Sequence, residues 1–351
     1  MRSSLGAILV LFSAGLFGAS TPLAKLLLQD VDPLMLAGLF YLGSGVGLLM
    51  FHGLRRLRRR GVPAEASLEG TQWLWLGLAI AFGGIAAPAL LMYGLADASA
   101  AATALLLNLE PIFTVLLAWL VFGEGVGGRI ALGMTAIAAG ALVLSWQGPA
   151  AMGQPAALLA IAAACLGWAI DNNLTRKVSL TDPVQIAALK GCVAGVVNVV
   201  AALSRGAAVP PAASIVTAAA VGLVGYGISL VLFVRALREI GTARTGAYFS
   251  LSPFFGAVLA VMLFANELSA QVVVSGLLMG AGVWLHLTER HVHEHEHLEL
   301  DHDHAHVHDE HHQHAHAGQE PAGEPHTHRH RHHPLSHGHP HFPDVHHHHP
   351  H

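Results

Sequence analysis

This sequence predicts an all-α membrane protein: ten transmembrane helices arranged as two inverted five-helix repeats, followed by a disordered His-rich tail. Three observations carry that expectation. Of 351 residues, 53% are hydrophobic and 11% charged, outside the soluble globular norm. Ten apolar stretches approach the roughly 20 residues that a helix needs to cross a ~30 Å hydrocarbon core. Of the 27 histidines, 25 lie in residues 289–351, a segment too polar to bury a core.

The apolar stretches fall at 5–28, 33–51, 72–94, 98–121, 128–146, 155–173, 182–202, 214–236, 243–265 and 270–288. The first resembles a signal peptide, with Arg2, an apolar run and small residues. Its pattern returns later in the chain, so retention as the first helix is the better reading. Connections are short except 52–71, which holds RRLRRR. Basic residues in short loops set orientation. With the N-terminus inside, the inner loops hold Arg2, Arg55, Arg56, Arg58, Arg59, Arg60, Arg129, Arg176, Lys177, Arg235, Arg238, Arg244 and Arg290; the outer loops hold Arg205, with Lys25 near an outer helix end. Both termini are therefore expected in the cytoplasm, in a cell inner membrane. Trp73, Trp75, Trp119, Trp146 and Trp284 fall near helix ends, as an interfacial belt requires. Cys165 and Cys192 sit in apolar segments and read as packing residues, not a disulfide.

The halves repeat. LADASAAATALLLNLEP (95–111) aligns without gaps to LREIGTARTGAYFSLSP (237–253), pairing Thr103 with Thr245, Ala104 with Gly246 and Pro111 with Pro253. Beyond it, Phe122-Gly123-Glu124 answers Phe264-Ala265-Asn266-Glu267, and earlier Asp32-Pro33 answers Asp182-Pro183. Two repeats are thus expected at 1–147 and 148–288, with the tail at 289–351. Five helices per repeat is an odd number, so the second must be inverted in the membrane, as in alternating-access carriers.

With LNLEPIFTVLLAWLVFGE and FSLSPFFGAVLAVMLFANE, and with the openings SAGLFGASTPLAK and ACLGWAIDNNLTRK, the chain resembles the EamA branch of the drug/metabolite transporter superfamily over residues 5–288. The resemblance implies a ten-helix fold and solute transport. It names no solute, because that superfamily moves amino acids, metabolites, sugars and drugs. Such halves often carry a basic residue seven positions after the Asp-Pro; here the second half has Lys190 and the first has Phe40. The halves are chemically unequal.

Intramembrane charges are costly and point to a pathway or a partner. Glu110 and Lys190 fall near the middle of the fourth and seventh helices, and a Glu110–Lys190 pair would make both tolerable. The alternative is that they only pin two helices together. Pro111 and Pro253 each remove a mid-helix hydrogen bond, exposing carbonyls near Leu107 and Asn108 or simply kinking the helix. Trp168 and Tyr93 line the pathway or serve as packing residues. Asp171, Asn172 and Asn173 form a polar vestibule or cap the helix exit beside Arg176 and Lys177; Thr21 and Lys25 hold the comparable stretch of the first helix. Glu124 and Glu267 read as loop-fixing residues. The spacings of Gly133 with Gly140 and of Gly276 with Gly280 suit close helix contacts, within the bundle or in a homodimer.

The tail carries the strongest chemical signal. Its first block holds His291, His293, His295, His297, His302, His304, His306, His308, His311, His312, His314 and His316. Neutral imidazole suits Zn, Ni, Co and Cu(II), and interleaved carboxylates add oxygen ligands. No zinc-finger spacing and no thiol accompanies them, so several exchanging sites for a divalent transition metal are expected, or a solvated pH-responsive tail. With 11 acidic residues against 3 arginines the tail sums to −8 with histidine neutral, and imidazole titrates near pH ~6.5. The functional expectation is a secondary transporter of a transition metal (Ni, Co or Zn) with a metal-collecting tail. The ammonium of Lys190 speaks against a bare cation site. The rivals are an exporter of an organic metabolite or amino acid with the tail as metal buffer, and a membrane metal sensor. No Walker motif appears, so gradients must supply the energy. No enzyme activity, required cofactor or nucleic-acid partner is expected; the partners are a small solute or metal ion and the lipid bilayer.

Overall fold

In the computed structural model the described residues are 2–58, 70–122, 128–145, 155–175, 178, 183–233, 235–236, 245, 248–264, 268–288, 292–297, 300–306, 326–332 and 335–340. Helices α1 (Arg2–Leu27) and α2 (Pro33–Arg58) come first. Asp32 caps α2, its carboxylate accepting from the Leu34 and Met35 amides at 2.9 and 3.0 Å, which satisfies two donors that the first turn leaves open. Helix α3 (Gln72–Ala79) passes through a π-helical segment, π1 (Ile80–Ala86), into α4 (Ala87–Asp97). Helix α5 (Ala100–Leu106), capped by Ser99, and α6 (Leu109–Phe122) make one broken crossing. Then come α7 (Gly128–Ser145), α8 (Pro155–Thr175) and α9 (Pro183–Ser204). Gly206, at φ +84°, ends α9, and the Ala207 amide returns to the Ala202 carbonyl at 3.0 Å, a closure that favours glycine. Helix α10 (Ala212–Gly222) enters a second π segment, π2 (Leu223–Ile228); α11 (Ser252–Leu263) and α12 (Ala270–Leu287) complete the apolar part.

Among the described residues seven helices are long and apolar enough to cross a membrane, and three shorter apolar helices cover 131–143, 252–263 and 270–285. Together they occupy the ten stretches anticipated from sequence. Outward-facing large apolar side chains such as Phe12, Met50, Leu120, Leu159 and Met262 have a physical reason in a chain solvated by lipid. Trp73, Trp119 and Trp284 are also exposed; Trp146 lies outside the described residues. Both cysteines are free.

Packing follows a paired plan. Helix α2 packs on α9 and α7 on α12; α1 packs on α11 and α8 on α6; π1 lies against α8 and α9, and π2 against α1 and α2. Each pairing in this set either maps onto itself or has a counterpart with the other half of the chain. The α2–α9 crossing is close. A Cβ on Gly191 would stand 2.7 Å from the Gly45 backbone, and one on Gly195 would stand 3.0 Å from the Gly38 carbonyl. Small residues there let two backbones touch. Ser13 and Ser229 tie α1 to the helical turn after π2 by reciprocal bonds, each hydroxyl reaching the other's carbonyl at 2.7 and 3.0 Å.

The expectation of a disordered tail is corrected for four segments: β1 (Val292–His297), β2 (Leu300–His306), β3 (His326–His332) and β4 (Leu335–Pro340). β1 pairs antiparallel with β4, and β2 with β3. The physical reason is period: His-x-His alternation matches the two-residue repeat of a strand, and pairing satisfies backbone groups without any apolar core. The register sets His293 opposite His339, His295 opposite His337, His302 opposite His330, His304 opposite His328 and His306 opposite His326.

Candidate functional site

The site is built around π1. A π turn widens the helix and leaves carbonyls without the usual intrahelical partner. Here side chains take those carbonyls. The Tyr41 hydroxyl and the Trp168 indole N–H both donate to the Gly83 carbonyl, at 2.8 and 3.0 Å, and the Asn198 amide donates to the Gly84 carbonyl at 3.4 Å. Helices α2, α8 and α9 are thus bonded to one distorted turn.

An ion pair sits against the same turn. The Lys190 ammonium on α9 contacts the Asp171 carboxylate on α8, and Thr175 donates to the other Asp171 oxygen at 2.9 Å. A Cβ on Gly83 would collide with that carboxylate, so the glycine makes the room. Asp171 is buried and Lys190 is mostly so. One helical step further, the exposed Asn172 amide donates to Glu110 on α6 at 2.8 Å. The sequence-based expectation of a direct Glu110–Lys190 pair is therefore corrected. Asp171, anticipated as a vestibule or capping residue, takes the lysine, and Glu110 receives a neutral amide. Sequence spacing does not show how α8 rotates between α6 and α9, which decides the partner.

Pro111 and Pro253 are also placed differently from a simple mid-helix kink. The break precedes each proline: α5 stops at Leu106 and α6 begins at Leu109, while α11 begins at Ser252. Each proline then occupies a first helical turn, where its missing N–H costs little. The Leu107 carbonyl accepts from the Glu110 amide at 3.1 Å. Asn108 is buried, and its amide nitrogen donates to Leu105 at 2.9 Å, while its oxygen has no hydrogen-bond partner among the described residues. Thr103, Ser252 and Ser275 also bury unpartnered hydroxyls.

Tyr93 lies away from this centre, lining a separate pocket of ≈ 400 Å³ with Asp32, Leu34, Ala202 and Arg205. Lys25 caps the end of α4, donating to the Leu95 and Ala96 carbonyls at 2.8 Å each. Thr21 is buried. Arg176, Lys177, Glu124, Glu267, His291, His308, His311, His312, His314 and His316 lie outside the described residues. His293, His295, His297, His302, His304 and His306 lie on β1 and β2. Among the described residues no group of three His, Cys, Asp or Glu is placed to hold a metal ion.

Sequence reasoning passed over the region around π2. Tyr226 there meets three rings in tilted or edge-on contact, at 5.4 Å from Phe17, 5.8 Å from Phe40 and 5.4 Å from Tyr41, and Phe249 joins Phe17 at 5.5 Å. A signal was present. The offset that aligns Leu95 with Leu237 sets Gly83 on Gly225 and Gly84 on Tyr226, and the openings SAGLFGAS and CLGWAID set Phe17 on Trp168 and Ser20 on Asp171. The structure agrees in detail: a Cβ on Gly225 would stand 2.9 Å from Ser20, as one on Gly83 would meet Asp171.

A family model, the EamA-like transporter family, matches residues 4–146 and 155–288. A protein of Methanothermobacter thermautotrophicus described as an uncharacterized transporter is 30% identical over 302 residues, covering 81% of this chain and 87% of that protein. One crystal structure superposes with a TM-score of 0.60 at 21% identity, over 82% of this chain and 99% of the other; this likeness speaks to fold alone.

Proposed function

We propose, from the premise that this chain belongs to the EamA-like transporter family and is a multi-pass membrane transporter, that it carries a small zwitterionic organic solute by alternating access. The two halves act as inverted repeats, with both termini and the RRLRRR loop on the cytoplasmic side of an inner membrane. The observation that carries the solute reading is the Asp171–Lys190 pair against π1. A zwitterion can exchange partners with such a pair, its carboxylate taking Lys190 and its ammonium taking Asp171, so neither buried charge is left alone at any stage. Tyr41 touches both the Gly83 carbonyl and the Tyr226 ring, which offers an apolar wall beside the charges. Glu110, Asn172, Asn108 and Trp168 complete the pathway.

The same pair counts against a transition-metal path. An ammonium in contact with Asp171 repels a divalent ion, and the nearby donors are amides and hydroxyls, not the imidazoles or thiolates such ions prefer. The tail then acts as a metal buffer or regulator beside the carrier. A second reading, transport of Zn, Ni or Co, is favoured by the 25 tail histidines and by strands whose register sets histidine opposite histidine.

Proteoliposomes decide between them. The full chain and one ending at Glu289 are assayed with labelled leucine and with Zn²⁺ and Ni²⁺. Leucine movement by both chains is expected. Metal movement that disappears with the tail would replace this reading with the second. Reporter fusions after Glu65 and His286 are both expected to read cytoplasmic; a periplasmic signal at either overturns the orientation.

A further inference from the structure

We propose that Glu110 is the proton-binding site of this transporter, and that its proton is exchanged for the solute's ammonium as the pathway turns over. The inference rests on the transport reading above and begins with a charge count. Among the described residues, two carboxylates, Glu110 and Asp171, and one ammonium, Lys190, stand around π1. Lys190 is in contact with Asp171 and compensates it. Glu110 receives the Asn172 amide as its one hydrogen-bond donor among the described residues, and an amide brings no charge. With every group ionised the cluster therefore holds one uncompensated negative charge inside a membrane span. A lone carboxylate at that depth is expensive, and a proton on Glu110 removes the charge without disturbing the ion pair.

The surroundings of Glu110 support this assignment. Among the described residues, the titratable groups near enough to act on it are Asp171 and Cys165 on α8, Lys190 on α9 and Tyr41 on α2. Helix α7, the other element packed on α6, carries a single ionisable residue, Arg129, which bonds Thr288 at 2.9 Å. Cys165 donates its thiol to the Leu106 carbonyl at 3.6 Å, so it is engaged elsewhere. Glu110 is partly buried and Asn172 exposed, while Asp171 is buried. The α5–α6 break immediately before it places Glu110 in the first turn of α6. At the matching place in the second half stands Ser252, so the chain holds one such carboxylate and not a symmetric pair.

In the cycle the protonated Glu110 carboxyl waits beside a neutral Asp171–Lys190 pair. Arrival of the solute releases the proton to water on that side; the solute's carboxylate takes Lys190, and its ammonium is shared by Asp171 and the Glu110 carboxylate. Departure of the solute on the other side lets Glu110 take a proton there. One proton moves against one solute; the zwitterion brings no net charge, so the loaded site is one unit more negative than the empty protonated site, and each turnover carries the proton's charge across the membrane.

The test uses the full chain reconstituted in lipid, with leucine as the probe, and the variants Glu110→Gln and Glu110→Asp. Glutamine keeps the carbonyl that accepts from Asn172, so a folded protein is expected; size-exclusion chromatography checks it. Infrared difference spectra between pH 5 and pH 9 should show a carboxyl that titrates in the native chain, shifts in Glu110→Asp and vanishes in Glu110→Gln. With the membrane potential clamped at zero, a pH step of one unit should drive leucine accumulation of about tenfold in the native chain. Glu110→Gln should equilibrate leucine without accumulating it. A Glu110 carboxylate that stays ionised through the whole range, or uphill accumulation by Glu110→Gln, overturns the proposal. A carboxyl that titrates as expected in a protein that ignores leucine supports the proton site and overturns the zwitterion reading instead.

Discussion

The regions around π1 and π2 share a backbone plan and differ in chemistry. Each is a π turn held against two helices of the bundle, with a glycine facing one side chain: Gly83 meets Asp171, and Gly225 meets Ser20. Around π1 the matching places hold Trp168, Asp171 and Lys190; around π2 they hold Phe17, Ser20 and Phe40, with Tyr226 where the other has Gly84. One region handles charge and the other presents rings. The difference teaches that a repeated backbone can keep its distortion while its side chains divide the work. A zwitterion with an apolar body needs both kinds of surface, and Tyr41 joins them.

Breaking the charged region should have the largest effect. Lys190→Met leaves Asp171 buried without its partner, which costs about 3–5 kcal/mol, and transport should cease. Adding Asp171→Asn should restore most of the thermal stability in detergent but none of the transport. Stability that stays low in the double variant would show that packing, not charge, holds this region together.

The aromatic region should break next, by a different route. Tyr226→Ala removes ring contacts with Phe17, Phe40 and Tyr41 and should cost about 3 kcal/mol as a large-to-small change. Its transport loss should grow with the size of the solute's apolar part, whereas the loss in Lys190→Met should not depend on it. Equal losses for small and large solutes would remove the division of labour.

A smaller effect separates the two π turns themselves. Gly83→Ala forces the Asp171 carboxylate aside and should cost about 1–3 kcal/mol by overpacking, with transport reduced more than tenfold. Gly225→Ala meets the Ser20 side chain at 2.9 Å and the Leu16 carbonyl at 3.4 Å, and should stay near the lower end of that cost with transport largely kept. Melting curves and uptake on the two variants check this.

The smallest effect on the bundle belongs to the tail. Ending the chain at Glu289 should leave the melting temperature of the membrane part unchanged. Zn²⁺ binding by the 289–351 peptide should exceed one ion per chain at pH 7.5. It should fall as pH drops through about 6.5, because protonated imidazole has no lone pair to give. Titration calorimetry at pH 7.5 and 5.5 reads both statements.

Much of this architecture is legible in the residues, for physical reasons. Apolar length marks spans, Asp32 marks a helix start, and the paired prolines mark the two broken crossings. Intramembrane charge singles out Glu110 and Lys190, and Trp168 and Asp171 lie within one turn of each other on the helix before Lys190. The partner of Lys190 was not legible, because which carboxylate meets it depends on the rotation of α8. The π turns were not legible either: a widened turn has no composition of its own, and the glycines at 83, 84, 225 and 227 mark it only after the neighbours are known. The tail's strands were hidden by its polarity, which argues against a core but not against pairing. Tyr226 could have been found by carrying the repeat past Leu237 toward the N-terminus.

The crossing of α2 and α9 sets how the bundle can move. Along it Gly38, Gly45, Gly191 and Gly195 bring main chain against main chain, so there are few side-chain teeth to disengage. Such a contact behaves as a pivot. Rotation about it changes little locally and is amplified with distance along each helix. Ten residues from the pivot is about 15 Å along a helix, where a turn of roughly 10° sweeps an arc of about 3 Å. That sweep matches the width of a water molecule. A glycine-to-alanine change here would therefore act at a distance, stiffening both mouths of the pathway without touching a solute.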